Sequence, residues 1–124
     1  MTDNGPLYPT LIFDTLTAYR QTAALRGAID LDVFTAIAEG AATVAALAQR
    51  CRASERGIRV LCDCLVVLGF LTKDADRYVL SAESAAFLDR RAPLYMATLA
   101  DFLNSPIISR GFEDVAAAVR KGGA

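Results

Sequence analysis

The sequence contains no histidine and only three cysteines, and these scarcities exclude several kinds of active site. Without histidine there can be no Ser-His-Asp or Cys-His arrangement, no general base of the usual kind near neutral pH, and no imidazole ligand for a metal. Cys62 and Cys64 lie two residues apart, so they point to nearly opposite sides of a helix, and no CxxC pair exists. We therefore expect Cys62 and Cys64 to pack in the core, Cys51 to lie in a turn, and no metal to bind.

Phosphate-binding glycine motifs are missing as well, since neither GxGxxG nor GxxxxGK[S/T] occurs. Carboxylates are scattered along the chain. Capping or solvation explains Asp30 and Asp32 more simply than catalysis does, and we expect Asp32 to cap a helix over 33–39. Glu113 and Asp114 are expected in the first turn of a last helix. The chain alone therefore predicts no catalytic and no cofactor-binding residue.

Charge is also scarce, with 22% charged residues against 54% hydrophobic residues, a net charge of -1 and a pI of about 5.3. No uncharged apolar run reaches the roughly 18 residues that a membrane span needs. The acidic, polar start is unlike a signal peptide. We expect a cytoplasmic protein whose main partner is neither a membrane nor a nucleic acid. The apolar excess indicates a large face buried against another subunit or domain.

Helical patterns dominate what is present. Apolar residues recur at helical spacing over 9–29 and predict one amphipathic helix, in which Gly27 is expected to allow the close approach of another backbone. Thr43, Ser54 and Ser81 are predicted N-caps, of a short helix, a longer helix and a short helix that ends at Leu88. Gly69 is predicted to end the longer helix.

Residues 43–80 have the order helix, turn, longer helix and hairpin, which is a winged helix-turn-helix. Strands at 70–72 and 78–80 are expected to flank a polar tip. The predicted fold class is mainly α, with a small β-hairpin wing and extra N-terminal and C-terminal helices, and 1–124 is interpreted as one domain. Further helices are predicted at 81–88, 95–103 and 112–120, with a break at 104–106.

The long helix of this motif is poorly suited to reading DNA. Val60, Cys64 and Val67 form an apolar stripe beside the core-facing one. The remaining polar line has no net charge and consists of Glu55, Arg56, Arg59 and Asp63. Residues 43–80 hold six basic and four acidic residues, a net charge of only +2. Because a recognition helix needs several polar side chains flanked by positive charge, a DNA-binding transcription regulator is the alternative and not the favoured function.

Three segments resemble the N-terminal domain of class I S-adenosylmethionine-dependent methyltransferases, most closely the O-methyltransferases of small molecules and natural products. They are ALRGAIDLDVFTAIAEG at 24–40, ASERGIRVLCDCLVVLGFL at 53–71 and RYVLSAESAAFL at 77–88. The resemblance implies a dimerisation and substrate-lid domain that is not catalytic by itself. It further implies that S-adenosylmethionine is the cofactor of the parent enzyme and that this chain alone holds none.

The resemblance also implies two groups of functional residues. The N-terminal helices at 9–40 would form a homodimer through Leu11, Ile12, Leu16 and Tyr19. The helices at 81–121 would connect to a Rossmann-like catalytic domain, which the 124 residues do not contain. Four apolar residues there would face the small-molecule substrate: Tyr95, Met96, Phe102 and Leu103. A small ligand-binding protein without chemistry remains a third interpretation.

Overall fold

The computed structural model describes residues 6–103, 105–110 and 112–122, which form a helical fold with one small hairpin. In that part of the chain no helix is both long enough and apolar enough to cross a membrane. The elements are α1 Thr10–Leu16, α2 Tyr19–Leu31, α3 Val33–Ala38, α4 Val44–Cys51, α5 Glu55–Leu68, β1 Leu71–Asp74, β2 Arg77–Leu80, α6 Ala82–Phe87, α7 Thr98–Leu103, α8 Pro106–Arg110 and α9 Val115–Lys121. This order confirms the mainly α fold with a hairpin.

The helix ends of the central motif follow local sequence signals. The hydroxyls of Thr43, Ser54 and Ser81 each accept a hydrogen bond from the N–H three residues later, at 3.2, 2.9 and 3.1 Å. Each bond satisfies one of the backbone donors that a helix leaves unpaired at its start. Gly69 ends α5 in the left-handed region with φ of 96°. These four predicted caps are confirmed.

The core lies where α3 meets α4, α5 and the hairpin. Five of the six residues of α3 are buried. From the facing side α5 contributes Ile58, Cys62 and Leu65, which recur at helical spacing and are at most 1% exposed. The ring of Phe34 meets that of Phe70 edge-on, with centroids 6.4 Å apart. Cys62 therefore packs in the core as predicted.

The prediction that Cys64 also packs in the core is wrong, because its side chain is exposed. Two residues along a helix correspond to about 200°, so a fully buried Cys62 turns Cys64 to the opposite side. The same rotation leaves Val60 and Val67 64% and 85% exposed. α5 thus has one face in the core and an apolar stripe on the surface.

The single N-terminal helix predicted over 9–29 is wrong in its continuity, because α1 ends at Leu16 and α2 begins at Tyr19. The hydroxyls of Thr15 and Thr17 donate to carbonyl oxygens four residues earlier, at 2.8 and 2.7 Å. Such back-bonding competes with the helix ladder and bends helices. Among the described residues, no atom of another element lies within 4 Å of the place that a Cβ on Gly27 would take, so the expected close approach of another backbone is not seen there.

The predicted side-chain cap at Asp32 is also wrong. Asp32 joins α2 to α3 with φ of 68°, and its side chain makes no capping bond. The carboxylate instead accepts from Arg50 at 3.2 Å and from the guanidinium of Arg90. Asp32 therefore ties the α2–α3 corner to α4 and to the segment after α6.

The hairpin strands differ slightly from the prediction, because β1 begins one residue later and ends two residues later, and β2 begins one residue earlier. Leu71 pairs with Leu80 and Asp74 with Arg77, so only two residues form the tip. Ala75 at the tip is in the left-handed region with φ of 57°.

The C-terminal helices differ from the prediction in their limits. α7 begins at Thr98 and not at 95, and α8 begins at Pro106 inside the predicted break. Proline suits the first position of a helix, where its missing N–H has no partner to lose. Asp114 caps α9 by accepting from the N–H of Ala117 at 3.0 Å, so it precedes the first turn. Asn104, in the predicted break, lies outside the described residues.

Candidate subunit interface and ligand groove

The N-terminal segment is apolar and almost entirely uncovered. α1 buries none of its residues. The four residues predicted for dimerisation are exposed, Leu11 by 79%, Ile12 by 61%, Leu16 by 67% and Tyr19 by 66%. Three further residues share this exposure, so the N-terminal apolar surface comprises Leu7, Tyr8, Leu11, Ile12, Phe13, Leu16 and Tyr19.

The size of this surface matches one side of a protein interface. With about 150–250 Å² for an aromatic side chain and somewhat less for leucine or isoleucine, it presents roughly 1,000 Å². A stable interface of standard size buries about 800 Å² on each partner. Phe13 was not among the four predicted residues, but α1, a separate helix of about two turns, leaves it as exposed as Ile12.

The polar line of α5 is partly engaged inside the chain. The Tyr78 hydroxyl donates to Asp63 at 2.6 Å, and the Lys73 ammonium contacts the same oxygen at 3.3 Å. The bond from Tyr78, with help from Lys73, holds the pKa of Asp63 below its usual range. Burial, followed by the bond to Asp63, raises the pKa of Tyr78. One acid of α5 and one base of the wing are thus used to hold the hairpin against the helix.

A groove of about 400 Å³ opens between α2, α6 and α7. Its apolar lining includes Leu25, Ile29, Phe70, Phe87, Met96 and Leu103. Arg26 and Glu83 are the charged residues among those that line it. A mainly apolar lining with a few polar groups is typical of binding sites for small organic molecules.

Of the four residues predicted to face a substrate, two line this groove and two do not. Met96 and Leu103 are in the lining, while Tyr95 is half-buried elsewhere and Phe102 is 62% exposed. In α7, Leu99 and Leu103 lie one turn apart on the groove side, whereas Phe102, about 100° round the helix from Leu103, is turned to solvent. Leu99 was not among the four predicted residues, which came from the family resemblance and not from helical spacing.

The described ranges hold no set of three cysteine, aspartate or glutamate side chains close enough to bind a metal ion. Burial raises the pKa of Cys62 to about 12, so its thiol stays neutral and unreactive.

The profile of the O-methyltransferase dimerisation domain matches residues 13–90. TcmO of Streptomyces glaucescens, the 8-O-methyl transferase of tetracenomycin polyketide synthesis, is 35% identical over 106 residues, which are 82% of this chain and 31% of TcmO. A crystal structure of a candidate O-methyltransferase from Nostoc punctiforme superposes with a TM-score of 0.91 and 49% identity, over 96% of this chain and 36% of that one.

Human N-acetylserotonin methyltransferase, solved in complex with S-adenosylmethionine, superposes with a TM-score of 0.79 and 27% identity, over 98% of this chain and 37% of that one. These similarities give no support to the alternative of a DNA-binding transcription regulator. The chain spans about a third of the length of each.

Proposed function

Because the chain belongs to the O-methyltransferase dimerisation domain family, we propose that it joins two copies of an S-adenosylmethionine-dependent methyltransferase and helps to enclose the small-molecule substrate. The observation that carries this proposal is the N-terminal apolar surface, on which α1 has no buried residue. A surface of this size and composition is costly to leave in water and is typical of a subunit interface.

The proposal divides the chain into three parts. The helices at 9–40 make the dimer contact, with Leu11, Ile12, Leu16 and Tyr19 at its centre. The winged motif at 43–80 is the scaffold, and the helices at 81–121 lead to a catalytic domain in the same polypeptide. The donor S-adenosylmethionine, with which human N-acetylserotonin methyltransferase was solved, would bind to that catalytic domain. A cytoplasmic location belongs to the same proposal and agrees with three free cysteines.

The dimer is tested by multi-angle light scattering on the 124-residue chain and on its Leu16→Lys variant. Full burial of one leucine contributes about 1.5–3 kcal/mol, and each dimer holds two copies, so Leu16→Lys is expected to weaken association by at least about 100-fold. Val79→Lys is the matched control, since Val79 is an exposed valine on the outer face of the wing. A wild-type chain that stays monomeric at about 100 µM, a high concentration for a specific interface, would refute the proposed dimer.

The ligand groove is tested by NMR titration of the ¹⁵N-labelled chain with 2-naphthol as an aromatic probe. We expect the largest shifts at Met96 and Leu103, and weaker binding in Met96→Ser. Phe102→Ser is the control, because Phe102 lies on the same stretch of chain but outside the groove lining. Equal effects of the two substitutions would show that the probe binds elsewhere.

A further inference from the structure

Residues 88–97 join α6 to α7 through turns and bends, without a helix or strand of their own. We refer to them as the α6–α7 connection. They contribute Met96 and Ala97 to the lining of the ligand groove, and α7, which follows directly, adds Leu99 and Leu103. α7 buries none of its residues, so its own packing does little to fix its place. The position of this wall of the groove therefore depends on the contacts that hold the α6–α7 connection.

Arg90 anchors the α6–α7 connection to the rest of the fold at two points. Its backbone N–H donates to the hydroxyl of Thr35 at 3.0 Å, and Thr35, in α3, is only 3% exposed. Its guanidinium bonds the carboxylate of Asp32, whose side chain is 20% exposed. Thr35 and Asp32 precede Arg90 by 55 and 58 residues, so both bonds are tertiary contacts and not part of a local turn.

The carboxylate of Asp32 is itself held in place. Arg50 of α4 donates to it at 3.2 Å, and the same guanidinium donates to Glu39 at 3.1 Å. Val33, the residue that follows Asp32, is fully buried and begins α3 in the core. Asp32 is therefore fixed by the helix corner and by α4, and it offers Arg90 an acceptor whose position does not depend on the α6–α7 connection.

The neighbouring arginine, Arg91, has different partners. In the part of the chain that the structure describes, its side chain bonds only Asp89, two residues earlier, with Nε at 3.3 Å from the carboxylate. Its backbone N–H donates to the same carboxylate at 3.0 Å. The side chains of Arg90 and Arg91 are 55% and 54% exposed, so the two differ in what they bind and hardly in their contact with water. Arg91 is therefore a matched control for Arg90.

We propose that Arg90 and Asp32 are positioning residues for the ligand groove, because their ion pair holds the α6–α7 connection where Met96 and α7 complete the groove wall. The inference rests on the proposed function of the groove, and neither Arg90 nor Asp32 belongs to its lining. The Met96 N–H donates to the carbonyl of Phe87, at the other end of the connection, at 2.9 Å. Exchange of this amide hydrogen with solvent therefore reports whether the connection is in place, with no ligand needed.

Hydrogen exchange followed by NMR tests the anchor itself. In Arg90→Ala we expect the Met96 amide to exchange about fivefold faster, because an ion pair with one largely buried partner shifts a local opening equilibrium by about that factor. The amide of Leu65, which lies in the core on α5, is expected to keep its wild-type rate, and Arg91→Ala is expected to change neither amide. Equal acceleration at Met96 and Leu65 would show that Arg90 only stabilises the fold as a whole. That result, or an unchanged rate at Met96, would overturn the inference.

Titration with 2-naphthol tests the consequence for binding. We expect Arg90→Ala to weaken binding roughly threefold to fivefold, since apparent affinity falls with the fraction of chains whose groove wall is in place. Arg90→Lys keeps the charge but not the planar fork, so its affinity is expected to lie between those of the wild type and Arg90→Ala. Arg91→Ala is expected to bind as the wild type does. Equal losses of affinity in Arg90→Ala and Arg91→Ala would overturn the assignment of Arg90.

Substitution of Asp32 tests whether the two residues act as a pair. Asp32→Asn removes the charge and keeps a side chain that tolerates the left-handed backbone, where φ is 68°. We expect Asp32→Asn to accelerate exchange at Met96 as Arg90→Ala does, and the double variant to exchange little faster than either. Fully additive effects would overturn the pairing. A wild-type chain that does not bind 2-naphthol would instead refute the proposed ligand groove, while exchange at Met96 would still decide whether Arg90 and Asp32 hold the connection.

Discussion

Removing the Asp63 carboxylate is expected to destabilise the fold through the hydroxyl that it leaves without an acceptor. Tyr78 is 1% exposed, and its hydroxyl donates to Asp63 at 2.6 Å. A buried hydroxyl deprived of its partner costs about 1–3 kcal/mol. Asp63→Ala also removes the ion pair to Lys73, whose two ends are 40% and 48% exposed and which contributes only about 0.2–1 kcal/mol. We expect a total loss of about 2–3 kcal/mol from these two contributions.

Substitution of the other partner, Tyr78, is expected to lower the free energy of unfolding by a smaller amount. Tyr78→Phe keeps the buried ring and removes the donor, and the half-exposed Asp63 then turns to water. The loss is therefore only that of one hydrogen bond, about 0.5–1.5 kcal/mol. With the donor absent, Asp63→Ala costs only the ion pair to Lys73, so the double variant is expected to be more stable than Asp63→Ala alone and close to Tyr78→Phe. The cycle then gives a coupling energy equal to the cost of the unpaired hydroxyl, about 1–3 kcal/mol.

Urea unfolding followed by far-UV circular dichroism gives the free energy of unfolding of the wild type, the two single variants and the double variant. All four are measured at one protein concentration, because dimerisation stabilises the folded state. The pKa of Asp63 is lowered in the folded chain, mainly by the Tyr78 hydroxyl. Its stabilisation is hence complete above the unfolded pKa of about 3.9 and is lost as the pH falls below that value. The difference in the free energy of unfolding between wild type and Tyr78→Phe is expected to become smaller in that acid range. The reasoning would be refuted if the losses in the free energy of unfolding were strictly additive, or if Asp63→Ala left that free energy unchanged.

Three further predictions concern the core, a cap and the thiols. Phe34→Ala removes a ring that is 1% exposed and is expected to cost about 3–5 kcal/mol in urea unfolding; a loss below about 1 kcal/mol would contradict the placement of α3 in the core. Ser54→Ala removes the cap of α5 and is expected to cost about 1 kcal/mol, whereas Ser54→Asp, which retains an acceptor, is expected to cost less. Native Cys62 is expected to resist a disulfide reagent at pH 8, because burial raises its pKa to about 12, and to react at once in urea; rapid labelling of native Cys62 would show that the core opens.

The elements of the central motif could be predicted because each depends on neighbours in the sequence. Thr43, Ser54 and Ser81 each bond three residues ahead, and Gly69 supplies the left-handed residue that ends α5. The family resemblance was recognisable for the same reason, since its three segments are these helices and the hairpin. Residues 13–90, which match the dimerisation domain, contain all of them.

The remaining features depend on contacts between distant parts of the chain. Aspartate is a common N-cap residue, yet the carboxylate of Asp32 accepts hydrogen bonds from Arg50 and Arg90, which are 18 and 58 residues away in the sequence. Charged hydrogen bonds to two guanidinium groups are stronger than one bond to a backbone amide, so they determine its orientation. In the same way, the position of α7 beside α2 and α6 places Leu99 and Leu103, but not Phe102, in the lining of the ligand groove.

The sequence by itself determined the class of fold, the limits of the central helices and the absence of the residues that most catalytic sites require. Hydrophobic spacing, caps and composition act over a few residues, and they can be read without knowing what the chain touches. Only the tertiary structure decided which apolar residues have no partner. Cys62 and Cys64 are equally apolar in the sequence, but the packing of α5 buries one and leaves the other exposed. Burial is a property of the assembled helices, and for this chain it separates the core from the surfaces proposed to meet a second copy.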